Sequence, residues 1–261
     1  MIKLIVSDVD GTLAPDGSPA IDPAYYDMIL KLHEKGIHFA VASGRPVASV
    51  TEAFEPIKDQ IFYIANNGAY VGCRGRSLFV NAIEPTLVRE LLDAVREHPA
   101  LSAIYAAEDG DYMDSSDDGL YRWMRDGYKF NIHRVMDLRD LTQPCVKLSI
   151  YKAHNLEEEA AGIRKLFEER MKVTMSGEMW MDCMAKGVCK GWAVQTLQES
   201  LDIRPEETLV FGDQQNDLEM LERAYYSFAV ANATDEVRRA ARFQADSAKN
   251  LGVLKVLGEL L

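Results

Sequence analysis

Asp8 and Asp10 stand at the end of a short apolar run near the start of the chain, and Asp213 and Asp217 stand at the end of another. Thr12 follows the first pair, and Asn216 lies within the second segment, Gly212-Asp213-Gln214-Gln215-Asn216-Asp217. Two further polar breaks, Ser43-Gly44-Arg45-Pro46 and Asn66-Asn67-Gly68, also follow apolar runs. If these segments meet, the carboxylates share one crevice, and a like-charge pair ~4 Å apart costs roughly 4 kcal/mol at an effective dielectric near 20. Only a multivalent cation makes such a cluster sensible. Hard carboxylate oxygens without His or Cys point to Mg²⁺ rather than zinc.

The surrounding elements give a reason for the segments to meet. Residues 2–7 form a β-like apolar run. Asp22 and Pro23 open an amphipathic stretch that reaches about Lys35, with Gly36 as its stop. Runs at 37–42 and 61–65 precede the second and third polar breaks, and Pro46 suits the first turn of a following helix. Strand, polar loop and helix recur in order, the pattern of a parallel sheet. Ligands of such sheets bind beyond the carboxyl ends of the strands, where all these polar segments would sit.

Residues 83–186 read differently. Helical stretches at 85–97 and 156–171 mix with strand-like pieces at 102–106, 146–151 and 180–184, and with an acidic loop, Asp114-Ser115-Ser116-Asp117-Asp118. The first pattern then returns with a helix from about Val188 and a buried-looking strand at 208–211. The expectation is an α/β protein: a Rossmann-like parallel-sheet domain (1–82 and 187–261) interrupted by an inserted α+β domain (83–186).

Composition narrows the functional classes. With 261 residues, 48% of them hydrophobic, the chain can fill one large core or two modest ones. The 41 acidic residues outnumber the 29 basic ones, so nucleic acid is not an expected ligand. A phosphorylated ligand would likewise need a local source of positive charge, which a bound divalent cation supplies. No run approaches the ~18 apolar residues of a membrane span, and Ser7 and Asp8 stop the first run too early for a secretory leader. Cys73, Cys145, Cys183 and Cys189 form no C-x-x-C pair, so free thiols and a cytoplasmic protein are expected.

The motifs together resemble the haloacid dehalogenase-like (HAD) superfamily, in particular its Cof-type, subclass IIB branch of sugar-phosphatase-like proteins. Asp8-Val9-Asp10-Gly11-Thr12-Leu13 fits the first motif of that family and Ser43 within Ala42-Ser43-Gly44-Arg45 the second. Lys190 within Gly187-Val188-Cys189-Lys190-Gly191 fits the third, and the Gly212 to Asp217 segment the fourth. Asn67-Gly68-Ala69 and the position of the insertion agree as well. The resemblance implies a HAD core with an inserted cap domain that closes over the site, and a Mg²⁺-dependent phosphatase acting on small phosphorylated metabolites, sugar phosphates foremost.

Carried over to this chain, the resemblance makes Asp8 the nucleophile that forms an aspartyl-phosphate, and Asp10 the acid and then the base. Asp8, the Asp10 backbone carbonyl, Asp213 and Asp217 would serve the metal. Ser43, Lys190 and the Gly44 N–H would hold phosphoryl oxygens, with Thr12, Arg45, Asn67 and Asn216 as further phosphate or substrate contacts. Each has a plainer alternative. An Asp after a strand also caps helices or shapes turns. Arg45 either touches substrate or pairs with a carboxylate on the rim, and Asn67 either meets ligand or shapes its turn. Asp182 either faces substrate from the cap or is one outward acid on a core strand. Two rival functions share the fold: a phosphomutase and a non-catalytic phosphometabolite-binding protein.

Overall fold

The structure, a computed structural model, describes residues 1–15, 20–127, 130–176 and 178–261. The chain divides into two compact units, Met1–Phe79 with Cys189–Leu261, and Val80–Val188.

The first unit begins with β1 (Leu4–Asp8), α1 (Pro23–Glu34), β2 (His38–Ala42), α2 (Val47–Ala53), β3 (Phe62–Ala65) and β4 (Tyr70–Cys73), and β5 (Arg76–Val80) leads into the second. The inserted unit runs α3 (Pro85–Arg96), β6 (Ser102–Ala106), β7 (Asp111–Met113), α4 (Asp118–Arg122), β8 (Ile132–Arg134), β9 (Lys147–Tyr151), α5 (Leu156–Phe167), β10 (Met171–Met175) and β11 (Trp180–Ala185). The first unit resumes with α6 (Lys190–Leu201), β12 (Thr208–Gly212), α7 (Leu218–Leu221), β13 (Tyr226–Val230), α8 (Asp235–Ala240), β14 (Phe243–Ala245) and α9 (Gly252–Gly258).

Its sheet has the order β14-β13-β12-β1-β2-β3-β4-β5, parallel from β14 to β3 and antiparallel between β3 and β4. Every residue of β1 and of β12 is buried, which is why both strands read as unbroken apolar runs rather than alternating ones. Their register pairs Ser7 with Phe211, so Asp8 and Gly212 finish side by side at the same carboxyl end. Ile5, Phe39, Ile64, Leu197 and Phe211 belong to one continuous core, each such side chain contributing about 1.5–3 kcal/mol on burial. Helix α1 starts where Asp22 accepts the Ala24 N–H at 2.9 Å and stops at Gly36, whose φ of +76° suits glycine.

The inserted unit is an α+β layer with strand order β10-β11-β9-β6-β7-β8, antiparallel except for the β7–β8 pair. One face, carrying Leu148, Ile150 and Cys183, shares a core with Leu91 and Val95 of α3 and with Ile163 and Phe167 of α5. On the other face, Ile104 and Met113 cluster with Leu120 and Met124. The acidic loop is engaged locally: Asp114 pairs with Arg96, Asp117 caps α4, and Asp118 pairs with Arg134. The helical stretch expected over 156–171 ends at Phe167, and Met171 opens a strand instead, with Met171 opposite Ala185 of β11. The four cysteines are free. Among the described residues no helix is long and apolar enough to cross a membrane.

Candidate active site

After Asp8 the chain turns sharply. The Val9 carbonyl accepts the N–H groups of Leu13 at 3.0 Å and Ala14 at 2.9 Å, while Gly11, at a φ of +86°, donates to the Ala14 carbonyl at 2.8 Å. Side chains from far along the sequence close this loop. Thr12 Oγ1 donates to Asp213 Oδ1 at 2.9 Å, and Asn232 Nδ2 donates to the Gly11 carbonyl at 2.8 Å. Asn232 Oδ1 in turn accepts the Ala248 N–H at 2.9 Å.

Lys190 is the first residue of α6, whose start is capped by Cys189 Sγ accepting the Trp192 N–H at 3.2 Å. Two glycines let neighbouring backbone come close to this helix start. A Cβ on Gly68 would stand 2.3 Å from the Cys189 carbonyl oxygen, and one on Gly191 would stand 2.4 Å from the Glu219 carbonyl oxygen. The buried Lys190 ammonium donates to Asp8 Oδ1 at 2.5 Å and to Asp217 Oδ1 at 2.7 Å. Asp217 Oδ2 accepts the N–H groups of Asp213 at 2.9 Å and Gln214 at 3.0 Å, which fixes that carboxylate.

Charge in this cluster is out of balance. Burial pushes the Asp8 carboxyl well above the usual carboxylate range; Lys190 opposes the shift, and Asp217 and Asp213 add to it. Burial, with Asp217 beside it, pushes Asp213 up to about 6. Lys190 is drawn down by burial, but Asp217 and Asp8 together outweigh that and hold the ammonium above its ordinary value.

Asp8, Asp213 and Asp217 each place a carboxylate oxygen within 4.8 Å of the others. Asp8 Oδ2 and Asp213 Oδ2 are buried with no hydrogen-bond partner. Buried carboxylate oxygens left unpaired are costly, and a hard divalent cation satisfies oxygens of this kind. The residues present therefore fit a cation held by carboxylates.

Among the described residues this cluster has three carboxylates, not the four expected. The Asp10 carboxylate is exposed and forms an ion pair with Arg45, whose Nε donates to Asp10 Oδ2 at 2.9 Å while Nη2 meets Oδ1. The planar guanidinium matches both oxygens at once. Thr12, expected at the phosphate, is fully buried and gives its hydroxyl proton to Asp213.

The second and third segments are joined to each other. The Ser43 N–H donates to the Ile64 carbonyl at 2.8 Å, and Ser43 Oγ accepts the Arg45 N–H at 3.1 Å. A Cβ on Gly44 would come 3.2 Å from Asn67 Oδ1, so the loop around Gly44 lies against that amide. Asn66 and Asn67 take φ values of +48° and +54°, which asparagine tolerates better than most residues. Asn67 Oδ1 accepts from Asn216 Nδ2 at 2.9 Å, so two residues expected to touch ligand hold one another.

Asp182 belongs to the inserted unit. It is buried, not outward, and accepts from Ser149 Oγ at 2.5 Å and Ser176 Oγ at 2.8 Å. Asn232 is the residue that the sequence reading misses. It directly follows the stretch after β13, and the rule that polar residues past parallel strands reach the site would have found it.

Similarity to known proteins extends over the whole chain. The family profile of the haloacid dehalogenase-like hydrolases matches residues 5–257. A curated relative from Escherichia coli, a 5-amino-6-(5-phospho-D-ribitylamino)uracil phosphatase, is 28% identical over 265 residues, covering 100% of this chain and 96% of its own. A phosphoglycolate phosphatase from Thermoplasma volcanium is 30% identical over 245 residues, covering 93% of this chain and 91% of its own. A crystal structure from Eubacterium rectale superposes with a TM-score of 0.95 at 34% identity, covering 100% and 99% of the two chains. The chain belongs to the haloacid dehalogenase-like hydrolases, in their Cof-type branch, and is a phosphatase.

Proposed function

We propose that this phosphatase is Mg²⁺-dependent and hydrolyses small phosphorylated metabolites, sugar phosphates among them, through an aspartyl-phosphate formed on Asp8. The observation that carries the reading is the unequal treatment of the two oxygens of one carboxylate. Asp8 Oδ1 is held by Lys190 at 2.5 Å, while Asp8 Oδ2 is buried without a partner.

In the first step an Asp8 oxygen bonds to phosphorus as the bond from phosphorus to the leaving oxygen breaks, and a proton from Asp10 passes to that oxygen. In the second, Asp10 takes a proton from a water whose oxygen bonds to phosphorus, and Asp8 departs as a carboxylate with release of phosphate. Two easier displacements replace one hard one, and a single carboxyl serves as acid and then base. Lys190, Ser43 and the Gly44 N–H hold the phosphoryl oxygens through both steps. Arg45 fixes where the Asp10 carboxyl stands before substrate arrives. Asp8, the Asp10 carbonyl, Asp213 and Asp217 would hold Mg²⁺, which when bound neutralises charge on the phosphoryl group and the nucleophile. The four free thiols suit a reducing, cytoplasmic setting.

The test is release of inorganic phosphate from p-nitrophenyl phosphate with Mg²⁺ and after chelation, in wild type and Asp8→Asn, without a bisphosphate activator. Activity that needs Mg²⁺ and vanishes in the variant is expected. Undiminished turnover in Asp8→Asn, or after complete chelation, would end the reading. Sugar phosphates and a ribitylaminouracil phosphate, the ester named for the Escherichia coli relative, form the substrate panel.

A further inference from the structure

One buried polar side chain in the loops of the first unit has no use in the steps above. Asn66 directly follows β3 and is 1% exposed. Neither its Oδ1 nor its Nδ2 has a hydrogen-bond partner. Among the described residues five buried side-chain polar atoms are unpaired in this way: the two free oxygens of Asp8 and Asp213, the Tyr25 hydroxyl in α1, and both amide atoms of Asn66. The next residue differs, since Asn67 Oδ1 accepts from Asn216 Nδ2 at 2.9 Å.

The backbone at Asn66 ties the segments of the site together. Asn66, Asn67 and Gly68 hold φ values of +48°, +54° and +100°, a left-handed run closed where the Ala69 N–H donates to the Asn66 carbonyl at 3.2 Å. The Asn66 N–H donates to the Arg45 carbonyl at 2.9 Å and the Asn67 N–H to the Ser43 carbonyl at 3.0 Å. Gly68, two residues on, lies against the Cys189 carbonyl, next to Lys190. The phosphoryl contacts proposed for Ser43 and the Gly44 N–H therefore meet the one proposed for Lys190 at this three-residue run.

Turn formation alone does not ask for asparagine here. Glycine takes a left-handed φ without strain and brings no polar atoms to bury. A primary amide buried with both ends unpaired lowers stability instead. Such a group, held in a strained turn between reacting segments, points to function rather than packing. The Ser43 and Arg45 carbonyls each accept one N–H from this run, and a carbonyl oxygen has room for a second. When the Ser43–Arg45 segment moves onto a phosphoryl group, it can offer one of these oxygens to Nδ2. We propose that Asn66 is a positioning residue of the phosphatase reaction: its amide, unpaired in this arrangement of the loops, bonds the Ser43–Arg45 segment as the phosphoryl group is transferred and holds that segment in place. An interaction made only then raises kcat without tightening substrate binding. The inference rests on the phosphoryl contacts proposed above and adds to them a residue outside the motif segments.

The test is hydrolysis of p-nitrophenyl phosphate with Mg²⁺ by the whole chain, wild type beside Asn66→Gly, Asn66→Ala and Asp8→Asn, with kcat referred to folded protein. Orthovanadate serves as the probe of the transition state. Asn66→Gly should melt no more than about 3 °C below wild type. It should lose about tenfold or more in kcat, keep KM within about threefold, and bind orthovanadate about tenfold more weakly. Asn66→Ala should lose at least as much kcat. A turn-forming role gives a different order, with Asn66→Gly as active as wild type and Asn66→Ala alone impaired. Wild-type kcat or unchanged orthovanadate inhibition in Asn66→Gly would overturn the inference, and so would a larger fall in its melting temperature, which makes the amide a structural support. An inactive wild type or an active Asp8→Asn defeats the assignment of Asp8. With wild type active and Asp8→Asn inactive, a fully active Asn66→Gly defeats the Asn66 inference alone.

Discussion

Gly68 lies against the start of α6 so closely that a Cβ on it would stand 2.3 Å from the carbonyl oxygen of Cys189, the residue before Lys190. Because Gly68 also holds a φ of +100°, Gly68→Ala meets backbone strain and a backbone clash together. We expect a loss of about 3 kcal/mol in stability. The variant should also lose phosphatase activity out of proportion to its unfolded fraction, because relief of the clash moves Lys190. Urea titration and phosphate release on the same preparation check both.

Lys190 is the cation among three buried carboxylates, and Lys190→Ala leaves Asp8 and Asp217 facing one another. Removing one member of a buried charge cluster costs about 3–5 kcal/mol. Loss of an electrostatic contact to the phosphoryl group should lower kcat by roughly a hundredfold to a thousandfold. Added Mg²⁺ should raise the variant's melting temperature more than it raises that of wild type, since an ion that binds only the folded state stabilises it. Equal Mg²⁺ dependence of the two melting curves would count against a cation at this cluster.

Asn232→Ala removes the donor to the Gly11 carbonyl and the acceptor for the Ala248 N–H in one change. A stability loss of about 1–3 kcal/mol is expected from the groups left unpaired. The loop after Asp8 loses its outer tether, so kcat should fall by about tenfold with a smaller change in KM. Steady-state kinetics separate this from a purely structural effect, which would reduce the active fraction and leave KM alone.

Burial pushes the Asp111 carboxyl up to about 6, with Lys147 opposing the shift. The folded-state value lies above the unfolded one, so this group's contribution is present below about pH 4 and lost as pH rises through about 6. Asp111→Asn escapes that loss. Its stability relative to wild type should therefore improve by about 2 kcal/mol between about pH 4.5 and pH 7.5. Urea midpoints of both proteins at the two pH values measure it, and a difference that does not change with pH refutes it.

Strands buried on both faces are the legible part of this sequence. β1, β2, β3 and β12 read as apolar runs that stop at a polar residue, and each stop marks a loop of the site. β5 is not legible, because its residues are mostly exposed and carry no apolar stripe. β10 is hidden by its neighbour: the helical spacing of α5 continues in register onto Met171, and only pairing with β11 makes that residue a strand. Composition alone cannot place Lys190, which is one lysine at one helix start; its assignment came through the family resemblance. The Asp10–Arg45 pair joins two loops that sequence spacing does not relate, so its geometry becomes visible only when β1 and β2 lie side by side.

The parallel pairing of β1 with β12 joins the first strand of the chain to one that begins at Thr208. During synthesis, the edge of β1 that β12 will occupy stays unmatched until the entire inserted unit has left the ribosome. Contacts so distant in sequence form slowly. A bare apolar strand edge in a nascent chain is a place where other chains can pair. The inserted unit keeps its own sheet and core within one continuous stretch, so it can assemble during that interval, and the catalytic half is completed last.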